Sequence, residues 1–419
     1  EGYQVAPHFI TMIPWFGDDI ALENTPVLEF LALNSSSQPN KPAPTADSRI
    51  WIGIDLGGND VKLSATDYSA QGILVLDPIK VPSLTQEGPQ KTIGQILTGV
   101  NQLLALLHTD WNAVASIAVT VPCPCSSEGL ILNAPNLGTP KTKHLWQVPF
   151  GEHLATEVSK SAGHAIPVFA CNDANAAGQD EDFERYGLST AARTTVFATT
   201  GTGLGGCVVV DGKVFFGLGQ AGELGHMKVA VPAAYAERFR ADAYPQCGCG
   251  AIGCVESRAS LSGLVRRIVW ALSPDGADFI KQDLATRGQS IDPIVFTQLQ
   301  ELLRDGARKA AYQVRTFADQ QQDAFCRWLL DDWAIMLGAL FATVAPVLHP
   351  DLFIVGGGLT EMSPQAKQWF LGTVRESYAA INKQGCFDSQ PGNCDIQWSV
   401  SRDQGWRGAI LMGMRAQGK

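Results

Sequence analysis

The sequence is short of positive charge. Its 419 residues include 31 Lys and Arg against 41 Asp and Glu, so the formal net charge is −10 at pH 7. Proteins that bind nucleic acid normally carry a basic patch or stripe, and the sequence contains no such run. We therefore expect no nucleic-acid partner, and any bound phosphate must be held by local loops and a divalent ion.

The sequence also has no convincing membrane span. Its longest apolar run, "WAIMLGALFATVAPVLHP" at 333–350, is short and interrupted, and it predicts a buried core helix instead. No charged leader followed by an apolar core and a cleavage site is visible, and the first residue is Glu1. These features predict a cytoplasmic protein that does not contact a membrane.

Cysteine is too sparse for a disulfide scaffold, with ten residues in the whole chain, yet three of the ten are clustered. Cys247, Cys249 and Cys254 lie within "CGCGAIGC". Such a cluster in a chain of enzyme size favours metal binding. With His226 the cysteines make a Cys₃His set, which suits a tetrahedral structural zinc. Free buried thiols or a disulfide are the alternatives, although a Cys-x-Cys disulfide ring would be strained.

The size of the chain predicts two domains. With 419 residues, 45% of them hydrophobic, it exceeds the length at which a single core keeps growing. Residues 1–49 stand apart as an N-terminal extension, and 34–48 have the composition of a linker. We expect an N-terminal α/β domain over 50–172, to which a C-terminal helix at 405–419 returns. A C-terminal α/β domain that contains the cysteine cluster is expected over 173–404.

Glycine turns at the ends of strands predict an α/β fold. "IWIGIDLGG" at 50–58 and "ATTGTGLGG" at 198–206 each combine an apolar strand with a glycine turn, and "VGGGL" at 355–359 ends a third strand. Glycine lets backbone N–H groups converge on a phosphate. The two similar turns therefore predict two similar halves that face a common cleft. Neither turn matches the Walker pattern or the dinucleotide fingerprint.

Helical patterns lie between and after these strands. "HLWQVPFGEHLATEVSKSAG" at 144–163 has helical spacing and a glycine stop, and residues 258–345 are mostly helical in period. The Asp211-Gly212 pair predicts a tight hairpin after the second glycine turn.

Two carboxylates next to the predicted strand ends are candidates for chemistry. Asp55 precedes Gly57 and Gly58, where it can hold Mg²⁺ through water, since Mg²⁺ prefers few carboxylates together with phosphate oxygens. Asp173 in "CNDANAAG" follows a strand and begins a helix. As a helix cap it would contribute ~1 kcal/mol. Between two phosphate loops it is instead a candidate base for a substrate hydroxyl.

Six motifs in a fixed order resemble those of one known family. "DLGG", "NDANAA", "GTGLGG", "GELGH", "CGCGAIGCVE" and "VGGGL" are similar to the motifs of the ROK family of sugar kinases, over residues 51 to 415. That family contains bacterial glucokinases, fructokinases and N-acetylhexosamine kinases. The resemblance implies a two-domain actin-like ATPase (ribonuclease H-like) fold with an interdomain cleft and a structural zinc site. It also implies transfer of the γ-phosphoryl group of ATP to the 6-hydroxyl of a hexose such as glucose.

The resemblance further implies a role for each matched residue. Asp173 would accept the proton of the sugar hydroxyl as general base, while contacting the sugar itself. The other residues implied to bind the sugar are Asn136, Asn172, Glu223, His226 and Glu256. Those implied to hold ATP and Mg²⁺ are Asp55, Gly57, Gly58, Asn59, Lys62, Thr200, Gly201, Thr202, Gly203, Gly356, Gly357 and Gly358. His226, Cys247, Cys249 and Cys254 would hold zinc, so metal removal is expected to weaken sugar binding more than nucleotide binding.

The sequence departs from the family pattern at several points. Asn59 stands where the family usually has Thr, Cys123 replaces a common glycine, and residues 228–246 lengthen the His-to-Cys connection. The family also contains sugar-responsive repressors with an N-terminal helix-turn-helix, a pattern that 1–49 do not show. A non-catalytic sugar-binding protein and a polyphosphate donor are further alternatives. Relatives are often dimers or tetramers, so a homo-oligomer is expected, while the hexose itself stays open.

Overall fold

Two five-stranded sheets with helices form the framework of the protein, which we describe from a computed structural model. The residues that the structure describes are 49–67, 78–126, 128–132, 134, 137–139, 141–187, 189–240, 245–382, 395–401 and 404–416. The predicted extension and linker at 1–48 and Asn136 therefore lie outside the described residues.

The first sheet is built from the N-terminal half of the chain and has the strand order β3-β2-β1-β4-β5. Its strands are β1 (Ile50–Leu56), β2 (Asp60–Asp67), β3 (Ile79–Pro82), β4 (Val114–Val121) and β5 (Val168–Asn172). β1, β2 and β3 pair antiparallel, whereas β4 runs parallel to both β1 and β5. Every residue of β4 is buried, as expected for a parallel strand covered on both faces.

The second sheet repeats this arrangement, with the order β8-β7-β6-β9-β10. Its strands are β6 (Thr194–Thr200), β7 (Leu204–Val210), β8 (Lys213–Val214), β9 (Leu352–Gly357) and β10 (Asp395–Trp398). The first three strands are again antiparallel and the last two parallel. Asp211 and Gly212 both have positive φ, 51° and 75°, in the predicted hairpin. The two halves expected from the glycine turns thus share one topology.

Helices lie beside both sheets and form most of the second half of the chain. The helices are α1 (Pro89–Leu106), α2 (Phe150–Ala162), α3 (Asp173–Tyr186), α4 (Ala236–Arg240), α5 (Leu261–Ala271), α6 (Pro274–Ala285), α7 (Pro293–Asp305), α8 (Ala307–Thr316), α9 (Ala324–Leu348), α10 (Pro364–Asn382) and α11 (Gln404–Ala416). α1 packs on β2 and β3, and α2 packs on β5. The helical period over 258–345 is therefore confirmed.

The long apolar helix α9 is a core helix, as its sequence predicts. It is long and apolar enough to cross a membrane, but 89% of its most apolar 18-residue window is buried inside the protein. Phe341 stacks on Phe353 of β9 with ring centroids 4.5 Å apart, so α9 packs directly against the second sheet.

The two sheets are joined through a pair of helices. α3 follows β5 directly and packs on β7, while α11 packs on β1 and β4, and the two helices pack against each other. Their contact is close, because a Cβ atom on Gly408 would lie 1.9 Å from the carbonyl oxygen of Ala176. Arg407 forms ion pairs with the buried Asp180 and with Glu184 across the same contact. The division into domains at Asp173 stays a prediction.

Candidate active site

Asp173 lies where β5 ends and α3 begins, and its neighbour fixes its position. Asn172 is the residue that caps α3, since its Oδ1 accepts hydrogen bonds from the backbone N–H groups of Ala174 (2.8 Å) and Asn175 (3.3 Å). Its Nδ2 donates to the carbonyl oxygen of Cys123 at 3.1 Å. Asp173 therefore does not serve as the cap, and its carboxylate accepts from Ala174 N–H at 2.9 Å.

The surroundings of Asp173 favour its neutral form. Asp173 is exposed to solvent, yet the protein atoms around its carboxyl reduce its hydration and raise its pKa to about 7. The negative charges of Asp55 and Glu223 add to that shift. The N–H of Ala174 acts in the opposite direction. A carboxylate whose pKa lies near neutrality is well matched to accept a proton at physiological pH.

The first glycine turn joins β1 to β2 and carries Asp55 at its edge. Thr120 Oγ1 donates to Asp55 Oδ1 at 3.0 Å, and Lys62 Nζ lies 3.6 Å from Asp55 Oδ2. α11 begins against this carboxylate, because a Cβ on Gly405 would lie 2.6 Å from Asp55 Cγ. These contacts hold Asp55 at the end of β1 with a cation beside it.

The turn itself is held from the β3 side. The hydroxyl groups of Ser83 and Thr85 both donate to the carbonyl oxygen of Gly58, at 2.9 and 2.8 Å, and Ser83 N–H donates to Asn59 O at 2.8 Å. Gly57 N–H bonds to Asp60 O at 2.9 Å, which closes the turn. The carbonyl oxygens of Gly58 and Asn59 therefore accept hydrogen bonds from within the protein.

The second glycine turn joins β6 to β7 and lies against β9. Gly201 N–H bonds to Gly203 O at 2.9 Å, and Thr200 Oγ1 donates to Gly356 O at 3.1 Å. Gly357 has φ of 88°, and a Cβ there would lie 2.0 Å from Thr200 O. The predicted turns at 200–203 and 356–358 are therefore neighbours, and glycine is required at 357 for both conformation and space.

Two carboxylates and a histidine form a further polar group near Asp173, since the charge of Glu223 acts on Asp173 and the charges of His226 and Glu256 act on Glu223. Glu223 Oε2 is 4.0 Å from His226 Nε2. Burial raises the pKa of Glu223, and the nearby charge of Glu256 adds to this, while His226 lowers it. Glu256 Oε2 accepts a hydrogen bond from Leu204 N–H at 2.9 Å.

The cysteine cluster and His226 converge as the sequence predicts. The ligand atoms of His226, Cys247, Cys249 and Cys254 all lie within 4.8 Å of one another. Cys249 Sγ and Cys254 Sγ are 3.7 Å apart, and both are free thiols, so the disulfide alternative does not apply. Three thiols and an imidazole at this spacing are a donor set of the kind that zinc prefers.

The chain also matches known proteins over most of its length. The family model for ROK matches residues 51–412. The chain belongs to the ROK family. Among its ROK relatives, the glucokinase of Halalkalibacterium halodurans is 26% identical over 316 residues, which cover 75% of this chain and 81% of that protein. The xylose repressor of Caldicellulosiruptor bescii is 23% identical over 365 residues, 86% of this chain and 76% of the repressor.

Solved structures of ROK proteins share the fold. A ROK family glucokinase from Streptomyces griseus, in complex with glucose and AMPPNP, superimposes with a TM-score of 0.59 at 23% identity, over 88% of this chain and all of that chain. Two mixed sheets with helices are thus the architecture of ROK kinases, and the predicted fold class is confirmed at that level. The glucokinase relatives support sugar kinase activity, while the repressor shows that the ROK family also includes regulators.

Several residues at this site were not predicted from the sequence. Thr120, which bonds to Asp55, is the penultimate residue of β4 and belongs to no recognisable motif. Arg308 lies on α8, and its Nη2 is 3.4 Å from Thr202 Oγ1. Ser262 Oγ donates to Thr202 O at 2.8 Å. Cys123 was noted only as a departure from the family, yet its thiol is close enough for Asp173 and Glu223 to raise its pKa further than burial alone does.

Proposed function

We propose that the protein is an ATP-dependent hexose kinase in which Asp173 is the general base. The observation that carries the proposal is the position of Asp173 at the junction of β5 and α3, close enough to Asp55 and Glu223 for both negative charges to help raise its pKa to about 7. The named activity of the glucokinase relatives favours glucose as the acceptor and ATP as the donor.

The acceptor is proposed to lie on the side of Glu223 and His226. Asn172, Glu223, His226 and Glu256 offer hydrogen-bonding groups to the sugar hydroxyls, and Asn136 is a further candidate in the sequence. Asp173 then accepts the proton of the 6-hydroxyl as that oxygen forms a bond to the γ-phosphorus and the bond from phosphorus to the β,γ-bridging oxygen breaks. A positioned base of this kind contributes roughly 10²–10⁴-fold to the rate.

The donor is proposed to lie along the glycine turns at 57–59, 200–203 and 356–358. Phosphoryl transfer depends mainly on positioning and on neutralising phosphate charge. Lys62 is a cation at the first turn, and Arg308 is one at the second. Asp55, oriented by Thr120, fits the role of a carboxylate that holds Mg²⁺ through water. When bound, Mg²⁺ would supply further charge neutralisation at the phosphates.

A structural zinc is proposed at His226, Cys247, Cys249 and Cys254. The convergent donor atoms support this assignment, and the thiol segment is already folded into a tight loop, since Cys247 N–H bonds to Ala251 O at 2.8 Å. When bound, zinc would tie His226 to the loop of Cys247 without taking part in the chemistry.

Kinase activity is tested by a coupled assay with ATP and Mg²⁺ across glucose, fructose, mannose and their N-acetylated relatives, with polyphosphate as a second donor. Asp173→Asn is expected to bind sugar normally and to lose at least about 100-fold in kcat, because the amide cannot accept the proton. Glu157→Gln, an exposed change on α2, is the matched control and should leave kcat unchanged. A variant of Asp173 that keeps a tenth of the wild-type rate would remove this residue from the role of base.

The similarity to the xylose repressor supports a second candidate, a sugar-responsive regulator. A regulator would bind a specific DNA fragment and dissociate from it when sugar is added. A hexose kinase would instead turn over ATP and would not bind DNA. A gel-shift assay beside the coupled assay separates the two, and a sugar-binding protein without activity would be negative in both. We also propose a cytoplasmic homo-oligomer, dimer or tetramer, which light scattering would test.

A further inference from the structure

The second glycine turn, at 200–203, is held in place by the segment that follows the cysteine cluster. Leu261 N–H donates to Gly201 O at 2.9 Å, and both the N–H (3.3 Å) and the hydroxyl (2.8 Å) of Ser262 donate to Thr202 O. These two residues begin α5, only a few positions after Cys254. Two carbonyl groups of the turn are thus fixed by the start of one helix.

Glu256 adds a side-chain anchor to the same turn. Its Oε2 accepts from Leu204 N–H at 2.9 Å. The contact is tight, because a Cβ on Gly203 would lie 2.4 Å from this oxygen. The backbone of Glu256 is itself held, since Ser260 Oγ donates to its carbonyl oxygen at 2.7 Å. Glu256 therefore contacts the end of the second glycine turn, although the family resemblance implies only a role in sugar binding for this residue.

We propose that Glu256 is a positioning residue for the nucleotide as well as a sugar contact, so that the cysteine cluster and the phosphate turn act as one unit. This inference rests on the proposed function. Because Glu256 lies two positions after Cys254, any loosening of the cluster reaches Leu204 through one side chain. Metal removal should then weaken nucleotide binding too, which differs from the expectation that it acts mainly on the sugar.

The physical basis is the ordering of the turn before the nucleotide arrives. A charged acceptor bonded to a backbone N–H is a strong hydrogen bond. Without this hydrogen bond, the Leu204 N–H loses its partner and the turn samples conformations that do not bind phosphate. Nucleotide binding is then weaker, because part of its free energy is used to order the turn. The effect must appear even when no sugar is present, which separates it from a role in sugar binding alone.

The test is calorimetric titration of the full chain with AMPPNP and Mg²⁺ in the absence of sugar. Glu256→Leu, which has no acceptor, is expected to weaken nucleotide binding about tenfold. Glu256→Gln keeps an acceptor oxygen and should retain most of the affinity. Glu237→Gln removes an exposed carboxylate on α4 that pairs with Arg240, and it should bind AMPPNP like the wild type. Unchanged or tighter binding by Glu256→Leu would overturn the inference.

A second measurement guards against a folding artefact. Hydrogen exchange of the backbone around Leu204 is expected to speed up in Glu256→Leu without ligand, while exchange in β9 and α10 stays as in the wild type. Zinc content and thermal unfolding show whether the variant is otherwise intact, and unchanged exchange around Leu204 would contradict the proposed contact. If the wild-type protein itself binds no AMPPNP, the proposed ATP-dependent function fails, and this inference fails with it.

Discussion

At the scale of single residues, the proposed role of Asp173 as base depends on the protonation state of its carboxyl. Its pKa is raised from 3.8 to about 7, so the protonated and ionised forms of the carboxyl exchange around neutral pH. Only the ionised form can accept a proton from a sugar hydroxyl. The surroundings that raise the pKa of Asp173 do so by disfavouring its charged form, so a role as base would carry an energetic cost to the fold.

The sign of the pH dependence follows directly. We expect log kcat/KM to rise with pH and to level off above a midpoint near 7, since kcat/KM reports groups of the free enzyme. Initial rates from pH 5.5 to 8.5 at low sugar concentration would measure this. A flat profile over that range, or one that falls with pH, would contradict the assignment of the base.

The same carboxyl affects stability with a definite sign. Its pKa in the folded protein lies above the unfolded value of 3.8, so its contribution to the free energy of unfolding is present below 3.8 and is lost as pH rises towards 7. Asp173→Asn should therefore gain stability relative to the wild type as pH rises through this window, as measured by denaturant titration at several pH values. Such a loss of stability in exchange for activity is common where a site needs a charge that the fold does not favour.

Arg308 offers a second test at residue scale. The guanidinium of Arg308 lies beside Thr202 on the second glycine turn. Arg308→Met is therefore expected to raise KM for ATP about tenfold and to leave KM for the sugar unchanged. Lys309→Met is the matched control on the same helix, since Lys309 pairs with the exposed Asp305 at 2.5 Å instead. Equal effects of the two changes on KM for ATP would argue against a specific role for Arg308.

At the scale of elements, the local signals of strands and turns made much of the framework predictable. Apolar runs that end in glycine located β1, β6 and β9, and the glycine stop of "HLWQVPFGEHLATEVSKSAG" is found at Gly163, whose φ is 76°. The same stretch is not one continuous helix, because Lys143–Trp146 form a short 3-10 helix and α2 begins only after Pro149, at Phe150. Boundaries of this kind depend on tertiary packing, which the helical period does not contain.

The contact of α3 with α11 is a second feature of this scale, and it can be tested with a single methyl group. Gly408→Ala would place a Cβ 1.9 Å from Ala176 O, so the two helices must separate. We expect a loss of roughly 1–3 kcal/mol in the free energy of unfolding, measured by denaturant titration.

A matched change in another helix serves as the control for Gly408. Gly372→Ala in α10 meets no atom within 4 Å. It should be neutral or stabilising by up to about 1 kcal/mol, because alanine is the better helix former. Equal stability of the two variants would show that the helices tolerate the extra atom.

At the scale of the whole molecule, the candidate site could be predicted only as far as its motifs reach. Asp173, the glycine turns and the cysteine cluster each lie in a short recognisable stretch. The contacts that join them do not, since Glu256 meets Leu204 across 52 positions and Arg308 meets Thr202 across 106. Nothing local in the sequence marks such a pair, because the proximity is produced by the two sheets and the helices between them.

The packing of α11 on the first sheet has a consequence for biosynthesis. Trp51 and Ala115 are buried together with Trp406, Ile410 and Met414, which the ribosome adds only after both sheets have been translated. Until then the first sheet carries an uncovered apolar face, which is a binding surface for chaperones and a route to aggregation. The N-terminal half is therefore expected to complete its folding late, only after α11 has emerged from the ribosome.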